Sequence, residues 1–202
     1  MIVNLHDKGE FTVSNVMRNW FLSIWYLLDP LYYSFTRLTY IKDECNQNVI
    51  FRVRITKYKG REITLSDGTT IKRNDKLLKI HLHNVKLLKE LHHVTCEVKR
   101  GRYIFQSVLE SLPALALFLQ NHPQKDELKG IIGITSLHRG CQRLGFETHD
   151  LKSKAYLKYK QITFLLISFI SSSAFSLKSL KKQNPKYLVM SKDLLCDRYK
   201  LN

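Results

Sequence analysis

The sequence predicts an α+β domain: a small antiparallel β-meander packed against an α-helix, with a short buried strand and two apolar flanking helices. Three observations carry that expectation. Residues 48–84 alternate apolar and polar side chains with the period of strands. Residues 102–121 repeat apolar side chains at three and four, the period of a helix. Apolar stretches near 16–38 and 155–177 bracket both.

In chain order, residues 1–15 read as a polar N-terminal segment and residues 16–202 as a single domain. A chain of 202 residues needs no metal or disulfide staple, since it buries roughly 70% of its unfolded surface on folding. His6-Asp7-Lys8-Gly9-Glu10 is polar, and no secretory pattern follows it, so a cytoplasmic location is expected. Residues 14–38 read as an aromatic-rich helix with Ser14 as cap. Asp29-Pro30 predicts a kink or restart there, because proline cannot donate to the preceding turn. Trp20, Phe21, Ile24, Trp25 and Leu28 spread around its circumference, so it packs on several sides or meets lipid.

In the meander, Phe51, Val53 and Ile55 alternate with Arg52, Arg54 and Thr56. Lys59-Gly60-Arg61 and Asp67-Gly68 supply turns, where glycine accepts positive φ. Leu78, Ile80 and Leu82 then alternate with Lys79, His81 and His83, so the imidazoles point away from the core side. Residues 85–91 follow as a helical turn with Asn84 as cap. In the 102–121 helix, Pro113 predicts a kink or break, and His122-Pro123 ends it. Ile131, Ile132 and Ile134 form the short buried strand. Residues 138–145 make a short basic helix closed by Gly145, and residues 146–149 return as a strand. The charge-free part of the second apolar stretch, residues 161–177, is short for a hydrocarbon core of about 30 Å, and its serines lower its hydrophobicity. Tyr187, Val189 and Met190 mark a last strand, and Ser191 caps a terminal helix over 192–199.

Charge sets the class of partner. Thirty-three Lys and Arg against seventeen Asp and Glu leave a net +16, which favours anionic partners. No acidic residue falls between Leu151 and Lys192. Lys152, Lys154, Lys158 and Lys160 precede the apolar run there, Phe164 and Phe169 lie inside it, and Lys178, Lys181 and Lys182 follow it. The stretch suits a helix docked on the protein, an in-plane interfacial helix or, less well, a membrane span; where it meets an anionic lipid surface, these residues form the expected membrane-facing set. Lysine suits diffuse attraction more than the bidentate reading that arginine performs. Cys45, Cys96, Cys141 and Cys196 form no C-x-x-C pair, so reduced thiols are expected.

Few residues suggest chemistry. His81-Leu82-His83 puts two imidazoles on one strand face, but a metal site needs a third ligand. Asp75, His92, His93, His138 or Glu97 could supply it, and spacing fixes none of them. No metal and no cofactor is expected. His138, Arg139 and Arg143 could bind an anion at a helix start, because helix N-termini attract phosphate. His138 with Cys141 lacks the third, orienting group that a nucleophile and base require. The nucleotide-binding, zincin and nucleophile-elbow motifs are missing.

The run at 51–84, with Tyr58-Lys59-Gly60, Leu65-Ser66-Asp67-Gly68, Asn74-Asp75 and Lys79-Ile80-His81-Leu82-His83-Asn84, resembles the YkoP-like family of spore-forming Gram-positive bacteria. GITSLHRGCQRLGF at 133–146, the apolar segment at 162–177 and the closing YLVMSKDLLCDRY extend the resemblance over most of 20–200. Similar domains occur alone or attached to the C-terminal side of polysaccharide deacetylase domains, which implies envelope-glycan or lipid-linked glycan work. Nothing in this chain resembles the deacetylase itself. The family pattern of an Asp before Leu/Ile-x-His-x-x-Asn falls on Asp75, His81 and Asn84, which the resemblance makes the candidates for any shared site.

The expected function is therefore a non-catalytic or accessory module, peripheral to the cytoplasmic membrane face and serving envelope or spore glycan metabolism. Its expected partners are an anionic membrane surface or lipid-linked glycan, together with an envelope-glycan enzyme. One alternative is a transferase-type enzyme using His81 with Asp75 on an anionic lipid-linked substrate. A second is a basic protein binding nucleic acid without sequence specificity, which apolar-helix aromatics support poorly.

Overall fold

The computed structural model describes Ser23 and residues 38–41, 49–91, 94, 96–136, 138, 140–151, 153–154, 156–161 and 184–200. Its main sheet has six strands: β1 (Thr39–Tyr40), β2 (Phe51–Lys57), β5 (Lys76–Leu82), β6 (Leu128–Thr135), β8 (Lys186–Ser191) and β7 (Glu147–Asp150), in that spatial order. Strands β3 (Ile63–Thr64) and β4 (Thr70–Ile71) pair only with each other, as a separate hairpin. Among the described residues, the helices with defined bounds are α1 (Asn84–Glu90), α2 (Glu97–Gln120) and α3 (Lys192–Tyr199). The class is α+β.

The pairing of β2 with β5 is antiparallel along their whole length, from Phe51 opposite Leu82 to Lys57 opposite Lys76. The expected meander is thus interrupted: β3 and β4 leave the main sheet and fold back over it. Strands β5 and β6 run parallel, a junction that needs a long crossover, and α1 and α2 supply it.

Strand alternation gives the sheet two faces. On one, Phe51, Val53, Leu78, Ile131 and Met190 pack with Leu112, Leu115 and Leu119 of α2. Each such fully buried side chain contributes about 1.5–3 kcal/mol. On the other, Leu77, Ile132 and Val189 are covered by Tyr58, Leu65 and Ile71, which come from the hairpin and its entry.

Local chemistry explains most turns. Gly68 takes φ +85 at the hairpin tip, where Asp67 Oδ1 accepts the Thr69 amide at 2.9 Å. Gly60 is needed for room rather than for positive φ: a Cβ there would lie 2.2 Å from the Tyr58 hydroxyl oxygen. Asp75 accepts the Lys72 amide at 2.8 Å and closes the turn into β5. Ser191 caps α3 as expected, accepting the Leu194 amide at 3.0 Å.

Two expectations on helices change. Helix α2 begins at Glu97 rather than near 102 and runs unbroken through Pro113. The Ser111 hydroxyl donates to the Ser107 carbonyl at 2.7 Å and accepts the Ile50 amide at 3.1 Å, which ties this stretch to the sheet. Burial of Leu112 and Leu115 holds the helix where propensity alone would break it. The cap position of α1 falls on His83, one residue earlier than expected, with Asn84 as the first helical residue. Over Val98–Gln120, α2 is long and apolar enough to cross a membrane, yet its apolar stripe forms the protein core.

The helix expected near 16–38 lies outside the described residues, apart from the helical Ser23 and the chain at Leu38. In the 155–177 stretch, residues 156–161 are helical and the remainder lies outside the described residues, as do Lys152, Phe164, Phe169, Lys178, Lys181 and Lys182.

Candidate functional site

The register of β2 and β5 builds the site. Arg52 stands opposite His81, and Arg54 opposite Lys79, all on the face away from α2. The same face continues through Ile132 and Ile134 of β6, Val189 and Tyr187 of β8, and Glu147 and His149 of β7. Among the described residues, the hairpin covers the end nearest Leu77. The half-sheet formed by β2 and β5 carries a band of largely buried cations.

Each cation is held by its surroundings. Arg52 is 3% exposed, and its guanidinium carbon lies 4.8 Å from the centroid of the Tyr40 ring. Lys160, on the helical stretch 156–161, comes close enough to act electrostatically on Lys79 and His81. Its ammonium lies 5.4 Å from the Tyr159 ring centroid and 5.7 Å from that of Tyr156.

Crowding of like charge shows in the proton affinities. Burial, followed by the charges of Lys160 and Arg54, pushes the Lys79 ammonium down to about 8. Burial, then Lys79, Arg54, Lys160 and Arg52, pushes His81 down to about 3. Lys160 is also lowered, by burial first and then by Arg54. His81 Nε2 is buried and makes no hydrogen bond among the described residues. At neutral pH it is an uncharged imidazole with one unused polar atom, surrounded by positive charge.

This arrangement favours anions and disfavours two other chemistries. A metal cation would meet the same repulsion, and no group of three His, Cys, Asp or Glu among the described residues could hold one. A general base works best with a pKa near the operating pH, and His81 is far below it.

The residues singled out by sequence fall in separate places. Asp75 lies at the Lys57–Lys76 end of the β2–β5 pair, whereas His81 lies towards the other end, beside Arg52. Asn84 begins α1 beyond the end of the strand. His83 leaves the strand and sets its ring against Tyr40, centroids 5.6 Å apart. His138 precedes the short 3₁₀ turn Cys141–Leu144, Arg143 lies within it, and Arg139 lies outside the described residues. The Arg143 carbonyl accepts from Arg198 at 2.5 Å, and burial pushes the Cys141 thiol up, away from nucleophilic thiolate. Cys96, Cys141 and Cys196 are thiols rather than disulfide halves. Lys158 lies on the same helical stretch as Lys160, and Lys154 is helical just before it.

Arg52, Arg54 and Lys79 were visible in the sequence only as polar alternation, and their convergence depends on strand register and on Lys160. A recess of 330 Å³ lies between β2 and the end of α2, lined by Val53, Ile55, Phe118 and His122. Its histidine is already engaged, with Nδ1 accepting the Gln124 amide at 3.0 Å.

The fold and this basic face define an α+β module with a cationic sheet surface. The YkoP domain family model matches residues 18–199, so the chain belongs to the YkoP family. A relative from Bacillus subtilis (strain 168), named "Uncharacterized protein YkoP", is 43% identical over 183 residues, spanning 91% of this chain and 98% of the relative. No solved structure matches the chain.

Proposed function

We propose that the protein is a non-catalytic anion-binding module that works peripherally at the cytoplasmic membrane face, on an anionic lipid or lipid-linked glycan. The observation that carries this reading is the convergence of Arg52, Arg54, Lys79, His81 and Lys160. Burial and neighbouring positive charge lower the proton affinities of Lys79, His81 and Lys160, so the face suits a ligand that brings negative charge. The connection to envelope or spore glycans, and to an enzyme of that metabolism, rests on the family resemblance.

A peripheral attachment is supported by Gln161, which donates to the Asn184 side chain at 3.1 Å. The two flanks of residues 162–183 thus meet at this bond, which supports a reading in which both stay on the same side of a membrane surface. Lys154, Lys158 and Lys160 precede that segment, and lysines near an anionic leaflet contribute about 1 kcal/mol each.

Vesicle co-sedimentation tests the reading. Phosphatidylglycerol vesicles are expected to retain the protein at low salt and phosphatidylcholine vesicles to release it, with Arg54→Ala/Lys79→Ala weakening retention. Equal recovery on both lipids removes the electrostatic basis. A transferase reading has only His81 as base, and its depressed proton affinity argues against that role.

A further inference from the structure

Two elements stand on the sheet face away from α2, and each carries exposed cations. Leu77, Lys79 and His81 share that face of β5. The β3–β4 hairpin covers Leu77, together with Ile132 and Val189. The helical stretch 156–161 reaches the positions beyond, where Lys160 acts on Lys79, His81 and Arg54. Leu77 and His81 are four residues apart, roughly 13 Å of strand.

Backbone pairing gathers the cations of the hairpin. Tyr58 donates its amide to the Asp75 carbonyl and accepts the Asn74 amide, both at 2.8 Å, so the chain at Lys59 runs beside that at Arg73. Arg61 leads into the hairpin and Lys72 leads out of it. All four residues are exposed. Among the described residues, none uses its charged group in an ion pair or a hydrogen bond. Nearby carboxylates do not cancel them. Asp75 accepts the Lys72 amide at 2.8 Å, and Glu62 is a single charge beside four. On the other element Lys154 and Lys158 are exposed, and Tyr159 lies beside Lys160.

We infer that Lys59, Arg61, Lys72 and Arg73 form a second lipid contact, so that hairpin and 156–161 stretch rest together on an anionic bilayer with α2 turned away. The inference rests on the peripheral-membrane reading and adds to it an orientation and four residues. An extended, charged surface suits two separate groups of cations on one side of a sheet. Their separation of roughly 13 Å exceeds the screening length of about 8 Å at physiological salt. Each group therefore attracts lipid by itself, and their effects on partitioning multiply. Nucleic acid fits less well. Among the described residues no exposed aromatic ring accompanies the hairpin cations, so bases have nothing to stack on.

Co-sedimentation of the full chain with phosphatidylglycerol vesicles at low salt tests the contact. Lys59→Ala/Arg73→Ala is expected to partition roughly tenfold less than wild type. Combined with Lys158→Ala, the two losses should multiply. Lys99→Ala/Arg102→Ala removes the same charge from exposed positions on α2, across the sheet, and should partition as wild type. Urea midpoints confirm that each variant folds. Wild type left in solution overturns the membrane reading and this inference with it. Wild type retained, with Lys59→Ala/Arg73→Ala retained equally, overturns the second contact and leaves that reading standing. An equal loss in Lys99→Ala/Arg102→Ala reduces the effect to net charge and overturns the orientation. Loss of duplex DNA binding in Lys59→Ala/Arg73→Ala, with vesicle retention unchanged, reassigns the patch to nucleic acid and overturns the inference.

Discussion

The hydroxyl of Ser191 donates to the carboxylate of Asp67 while accepting the amide of Leu194. One side chain thus caps α3 and pins the β3–β4 hairpin onto the sheet end that carries Leu77 and Val189. Ser66 adds a second tie, donating through its amide and its hydroxyl to Glu147, each at 2.7 Å. The hairpin is therefore fixed at one end of the polar face, and the cation band occupies the other.

Loss of the Ser191 hydroxyl removes a cap and a bond to a carboxylate together. Ser191→Ala is predicted to cost about 1–2 kcal/mol, read as a lower urea midpoint with unchanged slope. A midpoint equal to wild type would show that the hairpin holds itself without this tie.

His81 predicts the response to mild acid. Its folded pKa, about 3, lies below its ordinary 6.5, so between those values the unfolded chain binds a proton that the folded chain refuses. Stability therefore falls as pH drops from 6.5 towards 3. Asp67 acts lower. Burial raises its pKa, but hydrogen bonds from Ser191 and Thr69 outweigh that and hold it below the ordinary 3.8, so its contribution is lost below that value. His81→Gln is predicted to flatten the pH dependence of the urea midpoint between pH 6 and 4, roughly the upper part of the window. An unchanged slope there would falsify the assignment.

Lys79 sets function against stability. Its folded pKa of about 8 lies below the ordinary 10.5, so the unfolded chain holds its proton more tightly, and stability rises as pH climbs from 8 to 10.5. Lys79→Met removes a crowded ammonium and is predicted to raise stability at pH 7 by about 1 kcal/mol, while weakening anion binding. A variant both less stable and equally good at binding would contradict both halves.

Much of the fold was legible because the pattern and the burial agree. Leu112, Leu115 and Leu119 repeat at helical spacing and form the core stripe, and Ser191 was readable as a cap. Pro113 misled, because local propensity yields to packing when both neighbours are buried. The site was legible only in halves. Alternation exposed Arg52 and Arg54 on one strand and Lys79 and His81 on another, but nothing in the sequence states that Arg52 lies opposite His81. Lys160 comes from an element eighty residues further along and joins only through tertiary folding. Asp75 matched a linear pattern and sits at the opposite end of the strand pair, since six residues of strand separate rather than join two side chains.

Tyr159 separates attachment from folding. It is 60% exposed, stacks on Tyr156 with ring centroids 6.3 Å apart, and lies beside the Lys160 ammonium. An exposed tyrosine next to lysines suits the lipid headgroup region, where the ring meets acyl chains and the hydroxyl stays wet. Being exposed, it adds little to the core, so Tyr159→Ala is predicted to change stability by less than about 0.5 kcal/mol. On phosphatidylglycerol vesicles the same variant is predicted to partition several-fold less, with the difference persisting at high salt because the lost contact is apolar. Partitioning equal to wild type at both salt concentrations would remove this helix from the membrane contact and leave attachment to the cations alone.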